Sequence, residues 1–449
     1  MAQGIKAPTP EDLMSMWNAS GLKQKILFTL AMIAVWRFGI LIPLYGIDAN
    51  AFSTYLTQNG GQDLIGFLDL FSGGAIISVS ILALGIGPFI TSSIIIQLVS
   101  AVIPSLEKLQ KEEGEAGRRK LSQYTRLFTV VLGVFQSFMF MVLLHHVPQV
   151  ILPTVNPILF YVSSIITLTA GAVLVMWLSE LITEKGIGNG GSLIIFCGIL
   201  TGIPRIWENT ANLVKASGSM QLKLLLLLAI FFASMIFVVI MQEAVRKVII
   251  VNPKRQIGNK VYGGMNSFIP FKLNPGGVMP IIFAIAILLF PATIVNIVGK
   301  ANFSSVAVKV FLEKTIAWLS PSGPLYYLIY VGLIIALTFF YASIMPNMQP
   351  KDIADNLKKY GSSIPGIKPG KPTAEALDKI LTKTTFIGAI GLGIIALVPS
   401  FASYATGIET FQGIGATSII IMVGVALDLI NQVRSHLLAR NYESFLKDM

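Results

Sequence analysis

Residues 85–98 read GIGPFITSSIIIQL, and this stretch decides the fold class of the chain. It lies within a longer apolar run, residues 75–103, that contains no charged side chain. A run of this length can cross the apolar core of a bilayer as a helix, which takes about 20 residues. Because proline removes a backbone hydrogen bond, Pro88 should kink the helix. Ile86 and Ile90 are four residues apart, so they share one face beside the kink.

Similar apolar runs recur along the whole chain. Of the 449 residues, 54% are apolar and 12% are charged, whereas about a quarter of the residues in a soluble domain are charged. The runs are long and continuous, unlike the ten-residue alternating segments of an outer-membrane barrel. They predict an all-α membrane protein with ten transmembrane helices, at residues 26–43, 75–103, 127–144, 158–178, 187–203, 224–241, 278–298, 325–345, 386–401 and 414–430. Ten spans could form an inverted repeat of two halves with five spans each, although the sequence shows no clear self-similarity.

Lysine and arginine predict the orientation of these spans, because cytoplasmic loops carry the excess of basic side chains. With the N-terminus in the cytoplasm, three basic clusters fall on that side, at residues 108–126, 246–272 and 351–383. The opposite loops 44–74, 145–157 and 402–413 contain no lysine or arginine. Both termini are therefore predicted to be cytoplasmic. Residues 1–21 lack the apolar region of a signal peptide and predict an amphipathic segment that lies on the membrane surface or binds a partner.

Two predicted cytoplasmic loops, residues 242–277 and 346–385, are far longer than a connection between two helices needs. Both contain many lysines and clusters of glycine and proline, as in residues 365–370. Because such clusters form tight turns, we expect both loops to project as ordered hairpins.

The segment before the second span is apolar but too short to cross the membrane. From Leu64 to Gly74 it has 11 residues, about 17 Å if helical. Asp69 and the pair Gly73-Gly74 interrupt it. A short re-entrant helix, a break and then a full span fit this pattern. Such backbone is tolerated at membrane depth only where it is buried in protein or faces water, which predicts a cavity on the outer side.

The sequence gives little support to enzyme chemistry. The three histidines, His145, His146 and His436, form no zinc-protease motif. Serines within the spans have no histidine or lysine at helical spacing to activate them. Residues 186–191 match G-x-G-x-x-G, but a dinucleotide site needs a preceding strand, so close helix packing is the better interpretation. No catalytic residue, metal ligand or cofactor is expected.

Only Arg37 and Asp428 are charged residues that lie clearly inside spans. Both are near span ends, where the charge can reach the aqueous interface or pair with a nearby group. A secondary transporter would need ionisable coupling residues near the midplane of the membrane, so the sequence argues against a secondary transporter. The isoleucines of the second span can be ordinary core, or they can line an apolar constriction that blocks ions by dewetting. The single cysteine, Cys197, excludes a disulfide scaffold.

Residues 85–98 resemble the second-span signature of the SecY family, the central subunits of the bacterial protein-conducting channel. The resemblance extends over residues 20–445, with further matching stretches at residues 186–196, 252–264, 274–284 and 354–370. It implies a clamshell of two five-span halves around an hourglass pore. We expect the first half at residues 22–204, the second at 205–431, and a cytoplasmic tail at 432–449.

In this family a ring of aliphatic side chains closes the waist of the pore. The resemblance places this ring at Ile86, Ile90, Ile195, Ile282 and Ile421. It identifies residues 62–74 as the plug that blocks the outer funnel, with Leu64, Phe67, Leu68, Phe71, Gly73 and Gly74. Branched apolar side chains form no directional bonds, so they can fit closely around any passing sequence without holding it.

Spans two and seven, opposed to spans three and eight, resemble the lateral gate through which apolar helices leave into lipid. Thr91, Ser92 and Gln97 could hold this gate closed by interhelical hydrogen bonds of about 0.6–2 kcal/mol each.

The long loops resemble the docking platform for the ribosome and the SecA motor. The basic residues expected to dock are Arg246, Lys247, Lys254, Arg255, Lys260 and Lys368. The alternative is that these charges only enforce topology.

The chain departs from the family pattern at two positions. Lys368 stands where the family commonly has arginine, and lysine lacks the bidentate fork of arginine. Gly191 stands where the family usually has a branched residue. This end of span five should therefore be looser, or another side chain should fill the space.

The resemblance implies a channel without catalytic residues. It would pass unfolded, signal-bearing polypeptides across the bacterial cytoplasmic membrane and release apolar helices sideways into lipid. The expected partners are the SecE and SecG subunits, the SecA ATPase, the ribosome, signal sequences, nascent chains and membrane lipids. An inverted-repeat secondary transporter of a small solute is the alternative.

Overall fold

The computed structural model describes residues 21–58, 69, 71–111, 114–145, 147–153, 156–216, 220–252, 255–257, 260–262, 266–288, 324–344, 349–407 and 416–447. The helices are α1 (Leu22–Ile40), α2 (Ala49–Gln58), α3 (Gly87–Val102), α4 (Pro104–Lys111), α5 (Gly114–His145), α6 (Pro157–Lys185), α7 (Gly190–Ala216), α8 (Met220–Glu243), α9 (Met279–Leu288), α10 (Pro324–Ile344), α11 (Pro350–Tyr360), α12 (Lys371–Thr406) and α13 (Ala416–Lys447). Four short strands lie between α8 and α9: β1 (Val245–Val251), β2 (Arg255–Ile257), β3 (Lys260–Tyr262) and β4 (Asn266–Lys272).

Six of the described helices are long and apolar enough to cross a membrane, namely α5, α6, α8, α10, α12 and α13. Three shorter apolar helices are α3, α9 and the first part of α7, Gly190–Pro204. Large apolar side chains such as Leu222, Leu225 and Phe232 are exposed on α8, as expected for a helix that faces lipid. The prediction of an all-α membrane protein is therefore confirmed. The number of ten spans stays a prediction.

The second predicted span differs from the expected single kinked helix, and the prediction is wrong for its first part. Residues 74–86 form consecutive turns, and α3 begins only at Gly87. The Asp69 carboxylate accepts hydrogen bonds from the backbone N–H groups of Ile76 and Ile77, at 2.9 Å each, which competes with helical pairing. Pro88 is the second residue of α3, where its missing N–H costs nothing. The Gly-Pro pair therefore begins a helix instead of kinking one.

The turns at residues 74–86 are nevertheless well anchored. The backbone N–H of Leu44 donates to the carbonyl of Val79 at 2.9 Å, and that of Ile81 donates to the carbonyl of Ile42 at 3.0 Å. Val79 and Ala83 are buried in an apolar cluster formed with Leu44, Phe52, Met141, Leu144, Val147, Val150, Phe160 and Leu168. This irregular backbone is thus enclosed by protein, as chain without regular structure at membrane depth requires.

Close packing confirms the interpretation of the glycine-rich stretch at residues 186–191. A Cβ on Gly190, the first residue of α7, would collide with the backbone oxygen of Ser179 in α6. A Cβ on Gly186 would collide with the hydroxyl of Thr29 in α1. That hydroxyl also accepts a hydrogen bond from the backbone N–H of Ile187 at 3.0 Å. Glycine is therefore needed here because three segments approach one another closely.

The first of the two long loops is an ordered hairpin, as predicted. Strands β1 and β4 pair in antiparallel register from Val245 with Lys272 to Val251 with Asn266. Farther along the same loop β2 pairs with β3. For the second long loop the prediction of a hairpin is wrong. It forms helix α11, turns at residues 361–370 and the first turns of α12, because Gly361 with φ +72° ends α11 in a left-handed cap.

The two long loops pack together into one body, which we call the loop module: β1 to β4, α11, the turns at 361–370 and the first three turns of α12. The backbones of Val251 and Ser363 exchange hydrogen bonds at 2.9 and 3.1 Å. The Ser362 hydroxyl donates to Oδ1 of Asn252 at 2.8 Å. A small apolar core joins the parts, with buried side chains of Val248, Phe271, Ile364, Leu377 and Leu381. The sequence alone did not predict this association.

The chain divides into two compact units. The first comprises the described residues within 1–92, 126–205 and 425–449, and the second those within 93–125 and 206–424. Helices α3, α5, α7 and α13 each contribute residues to both units. The predicted halves, residues 22–204 and 205–431, follow a simpler division of the chain and stay a prediction.

Candidate functional site

The five isoleucines predicted to line the pore come from both units. Ile86, Ile90 and Ile195 belong to the first unit, and Ile282 and Ile421 to the second. All are buried except Ile90, which is half-buried. The backbone N–H of Ile90 donates to the carbonyl of Ile86 at 3.1 Å, which confirms their helical spacing. Their convergence on one ring stays a prediction.

Gly191, where the family usually has a branched residue, does not leave an empty space. The atom nearest to the position that a Cβ on Gly191 would take is Oδ1 of Asn189, at 3.3 Å, and Cδ1 of Ile86 and Oγ of Ser179 both lie at 3.5 Å. Of the two outcomes expected at this position, these contacts favour the second, because neighbouring side chains surround the glycine at van der Waals distance. Ile86 is 3% exposed, so this packing holds one of the predicted pore isoleucines in place.

Two of the three predicted gate residues hydrogen-bond within their own helix. The Thr91 hydroxyl donates to the carbonyl of Gly87 at 3.0 Å, and the Ser92 hydroxyl donates to the carbonyl of Pro88 at 2.7 Å. Both hydroxyl donors are thus used within α3, and the interhelical hydrogen bonds expected for these two residues stay a prediction. The donors are used in this way because a serine or threonine hydroxyl in a helix readily reaches the carbonyl four residues earlier.

Gln97 makes a hydrogen bond to another helix, as expected. Its Oε1 accepts from the hydroxyl of Tyr341 in α10 at 2.8 Å, and its Nε2 donates to Oγ of Ser93 at 3.2 Å. The ring of Tyr341 also packs on Phe283 of α9, with 5.2 Å between centroids. Sequence reasoning missed Tyr341, since a tyrosine within an apolar run carries no signal for its partner.

The structure describes the end of the predicted plug. Phe71 and Ser72 are helical, and the break follows at Gly73 and Gly74, with φ of +72° and +93°. This confirms the predicted break before the second span. Leu64, Phe67 and Leu68 lie outside the described residues.

The predicted docking residues lie in the loop module. Arg246 and Lys247 are exposed on β1, and Nζ of Lys247 lies 5.0 Å from the ring centroid of Phe268 on β4. Arg255 and Lys260 occupy the paired strands β2 and β3. Lys254 lies outside the described residues. Lys368 is exposed in the turn before α12, and its carbonyl accepts from the hydroxyl of Thr373 at 2.8 Å.

Candidate metal ligands do not cluster in the described part of the chain, where no group of three or more His, Cys, Asp or Glu side chains could hold an ion. His145 instead shares a hydrogen bond with the hydroxyl of Tyr161, with 2.6 Å between Nδ1 and the phenol oxygen.

Comparison with known proteins identifies the family. The family model described as SecY matches residues 80–430. The chain belongs to the SecY family. A protein translocase subunit SecY of Synechococcus elongatus is 43% identical over 453 residues, which cover 100% of both chains. The recognition made from residues 85–98 is therefore confirmed.

Solved structures agree on the SecY fold. The structure of a protein-conducting channel matches with a TM-score of 0.63 at 17% identity, and covers 92% of each chain. The Sec61 channel in a canine ribosome–channel complex from the endoplasmic reticulum matches with a TM-score of 0.59 at 17% identity, again over 92% of each chain. The chain is a multi-pass membrane protein of the SecY family.

Proposed function

We propose that this chain is the pore-forming subunit of a Sec translocon. It passes unfolded, signal-bearing polypeptides across the cytoplasmic membrane of a bacterium and releases apolar helices sideways into lipid. The single observation that carries this proposal is the 43% identity to a protein translocase subunit over the full length of both chains. Relatives of this kind have the spans, loops and termini of the whole protein in common, and not one module.

The pore is proposed to be closed by Ile86, Ile90, Ile195, Ile282 and Ile421. Apolar side chains at a narrow waist exclude ions by dewetting, and they offer no directional bond that would retain a passing polypeptide. The burial of four of these side chains supports the assignment, as does the helical pairing of Ile86 with Ile90. We place the plug at residues 62–74 and the lateral gate on α3.

The loop module is the proposed docking site for cytoplasmic partners. Exposed basic side chains on β1 and in the turn before α12 suit the phosphates of ribosomal RNA or an acidic motor surface. The ribosome and the SecA ATPase are the partners we assign to it, and SecE and SecG the small membrane subunits. We assign no catalytic residue to the channel itself and infer that the energy for transport comes from SecA or from the translating ribosome.

Both termini are proposed to be cytoplasmic, because the loops predicted on the outer side at residues 44–74, 145–157 and 402–413 contain no lysine or arginine. The alternative of a secondary transporter has no specific observation in its favour. It needs ionisable groups that face a cavity at the midplane. Arg37, one of the two charged residues inside the predicted spans, instead pairs with a backbone carbonyl.

Reconstitution tests the proposed function. Vesicles that contain this chain with SecE and SecG should import an unfolded, signal-bearing polypeptide when SecA and ATP are added, and the imported polypeptide should be protected from added protease. A substrate with a disrupted signal sequence and a reaction without ATP are the controls. Uptake of a small solute without polypeptide import would contradict the proposal.

A further inference from the structure

Arg37 in α1 holds the backbone at the end of the predicted plug. Its Nη1 donates to the carbonyl of Gly73 at 2.7 Å, a short distance typical of a charge-assisted hydrogen bond. Arg37 lies inside a predicted span, where an unpaired cation is costly. The partner is 36 residues away along the chain, so the bond joins α1 to the segment that precedes the second span.

Trp36, the preceding residue of α1, holds the same glycine from another side. It is 1% exposed, and a Cβ on Gly73 would lie 2.8 Å from Cη2 of its indole. That Cβ would also lie 3.3 Å from Cα of Gly198 in α7. Gly73 has φ +72°, which glycine adopts without strain. The Gly73 backbone is therefore enclosed by an indole, a guanidinium and a neighbouring helix.

The residues on both sides of Gly73 form one hydrogen-bonded group. The Ser72 hydroxyl donates to the carbonyl of Asp69 at 3.0 Å, and so does the backbone N–H of Gly74. The Asp69 carboxylate in turn accepts from the N–H groups of Ile76 and Ile77, and this side chain is 6% exposed. The contacts of Arg37 and Trp36 with Gly73 therefore also fix this hydrogen-bonded group against α1.

We propose that Arg37 and Trp36 form a clamp that fixes the end of the plug in the resting channel, and that release of the Gly73 carbonyl is a step of opening. The proposal rests on the proposed function, because it takes residues 62–74 as the plug. The acceptor is a neutral carbonyl, so opening leaves no unpaired anion behind. The freed guanidinium can be hydrated from the aqueous cavity that the re-entrant segment predicts. Arg37 is thus a positioning residue, which acts through the backbone of Gly73.

Hydrogen exchange of the full chain with its partner subunits in lipid nanodiscs tests the clamp without any transport. In Arg37→Gln, the amides of Gly74, Ile76 and Ile77 should exchange roughly tenfold faster or more, the size expected for loss of a charged hydrogen bond. Arg37→Lys keeps the charge and one donor and should stay within about threefold of wild type. Arg126→Gln is the matched control, because Arg126 pairs with Glu180 at 2.8 Å in the same unit and should leave these amides unchanged.

A second variant tests the clamp from the side of the indole. Gly73→Ala places a Cβ against Trp36 and should accelerate the same amides, and Trp36→Phe added to Gly73→Ala should slow them again. If these amides exchange at the wild-type rate in a folded Arg37→Gln protein, the clamp is overturned. If Arg37→Gln does not fold, the wild-type rate in Gly73→Ala overturns it instead.

Transport then separates a loosened clamp from a damaged protein. Import of a substrate with a weakened signal sequence, relative to an intact one, should rise in Arg37→Gln, whereas a general folding defect would lower both. An unchanged ratio together with accelerated exchange would overturn the role of the clamp in opening. If wild-type vesicles import no polypeptide at all, the proposed function fails, and the exchange rates still decide whether Arg37 holds Gly73.

Discussion

Cδ1 of Ile86 lies 3.5 Å from where a Cβ on Gly191 would stand, which is ordinary van der Waals contact. Ile86 lies in the turn before α3 and Gly191 in the first turn of α7, so a side chain from another element borders the glycine. A residue predicted to line the pore thereby packs against Gly191. A larger side chain at position 191 should consequently require a smaller one at position 86.

Gly191→Ile should destabilise the protein by about 1–3 kcal/mol, because the atoms beyond its Cβ would press on Ile86 and Ser179, which already lie at contact distance. Adding Ile86→Ala should recover much of this loss. The midpoint of thermal unfolding of the full chain in detergent measures both effects. Gly332→Ile is the matched control, since a Cβ there meets nothing within 4 Å. An unchanged midpoint in Gly191→Ile would show that Ile86 does not fill the site.

Tyr341→Phe should weaken closure of the proposed lateral gate by about 0.6–2 kcal/mol, because it removes the hydrogen bond to Gln97 and keeps the ring that packs on Phe283. Import of a substrate with a weakened signal sequence should therefore increase several-fold relative to an intact one. Gln97→Leu should have the same effect, and Ser92→Ala should have none, since its hydroxyl bonds within α3.

Tyr330→Phe is the matched control for the gate. Tyr330 lies on the same helix, and its buried hydroxyl has no hydrogen-bond partner among the described residues. Removing it should leave signal dependence unchanged. Equal effects of Tyr341→Phe and Tyr330→Phe would argue against a specific role of the bond to Gln97.

Gly190→Ala should destabilise the protein although alanine normally favours a helix. Its Cβ would collide with the backbone oxygen of Ser179, which cannot move away without shifting α6. We expect a loss of about 1–3 kcal/mol, measured as a lower unfolding midpoint, and Gly332→Ala as a control should not lose stability. A neutral Gly190→Ala would mean that α6 and α7 are not in close backbone contact.

Arg255→Glu should weaken binding of ribosomes to the reconstituted channel. Loss of one phosphate contact should lower the slope of log affinity against log salt by about one unit. Binding measured by sedimentation at several salt concentrations gives both quantities. Lys223→Glu makes the same charge change at the start of α8, on the predicted outer side, and should have no effect. Unchanged affinity and slope in Arg255→Glu would remove this residue from the docking surface.

Some features were predictable because they depend on local sequence. Burying charge or unpaired backbone groups in lipid costs free energy, and this cost depends only on the sequence of each segment. It therefore predicts the apolar runs, the basic loops and the break at Gly73-Gly74. The turns at residues 74–86 were not predictable, because the apolar run alone is equally consistent with a helix. Their conformation depends on the Asp69 carboxylate, whose hydrogen bonds to Ile76 and Ile77 compete with helical pairing.

The sequence by itself determined that this protein is a helical membrane protein, and residues 85–98 were enough to indicate its family. Only the tertiary structure decided which polar side chains pair. Gln97 and Tyr341 are 244 residues apart, and the loop module joins two loops separated by two predicted spans. An unpaired polar group in an apolar surrounding costs free energy, and the partner that such a group finds depends on which helices become neighbours. Packing depends on tertiary structure in the same way, since the side chain of Ile86 that borders Gly191 comes from another element.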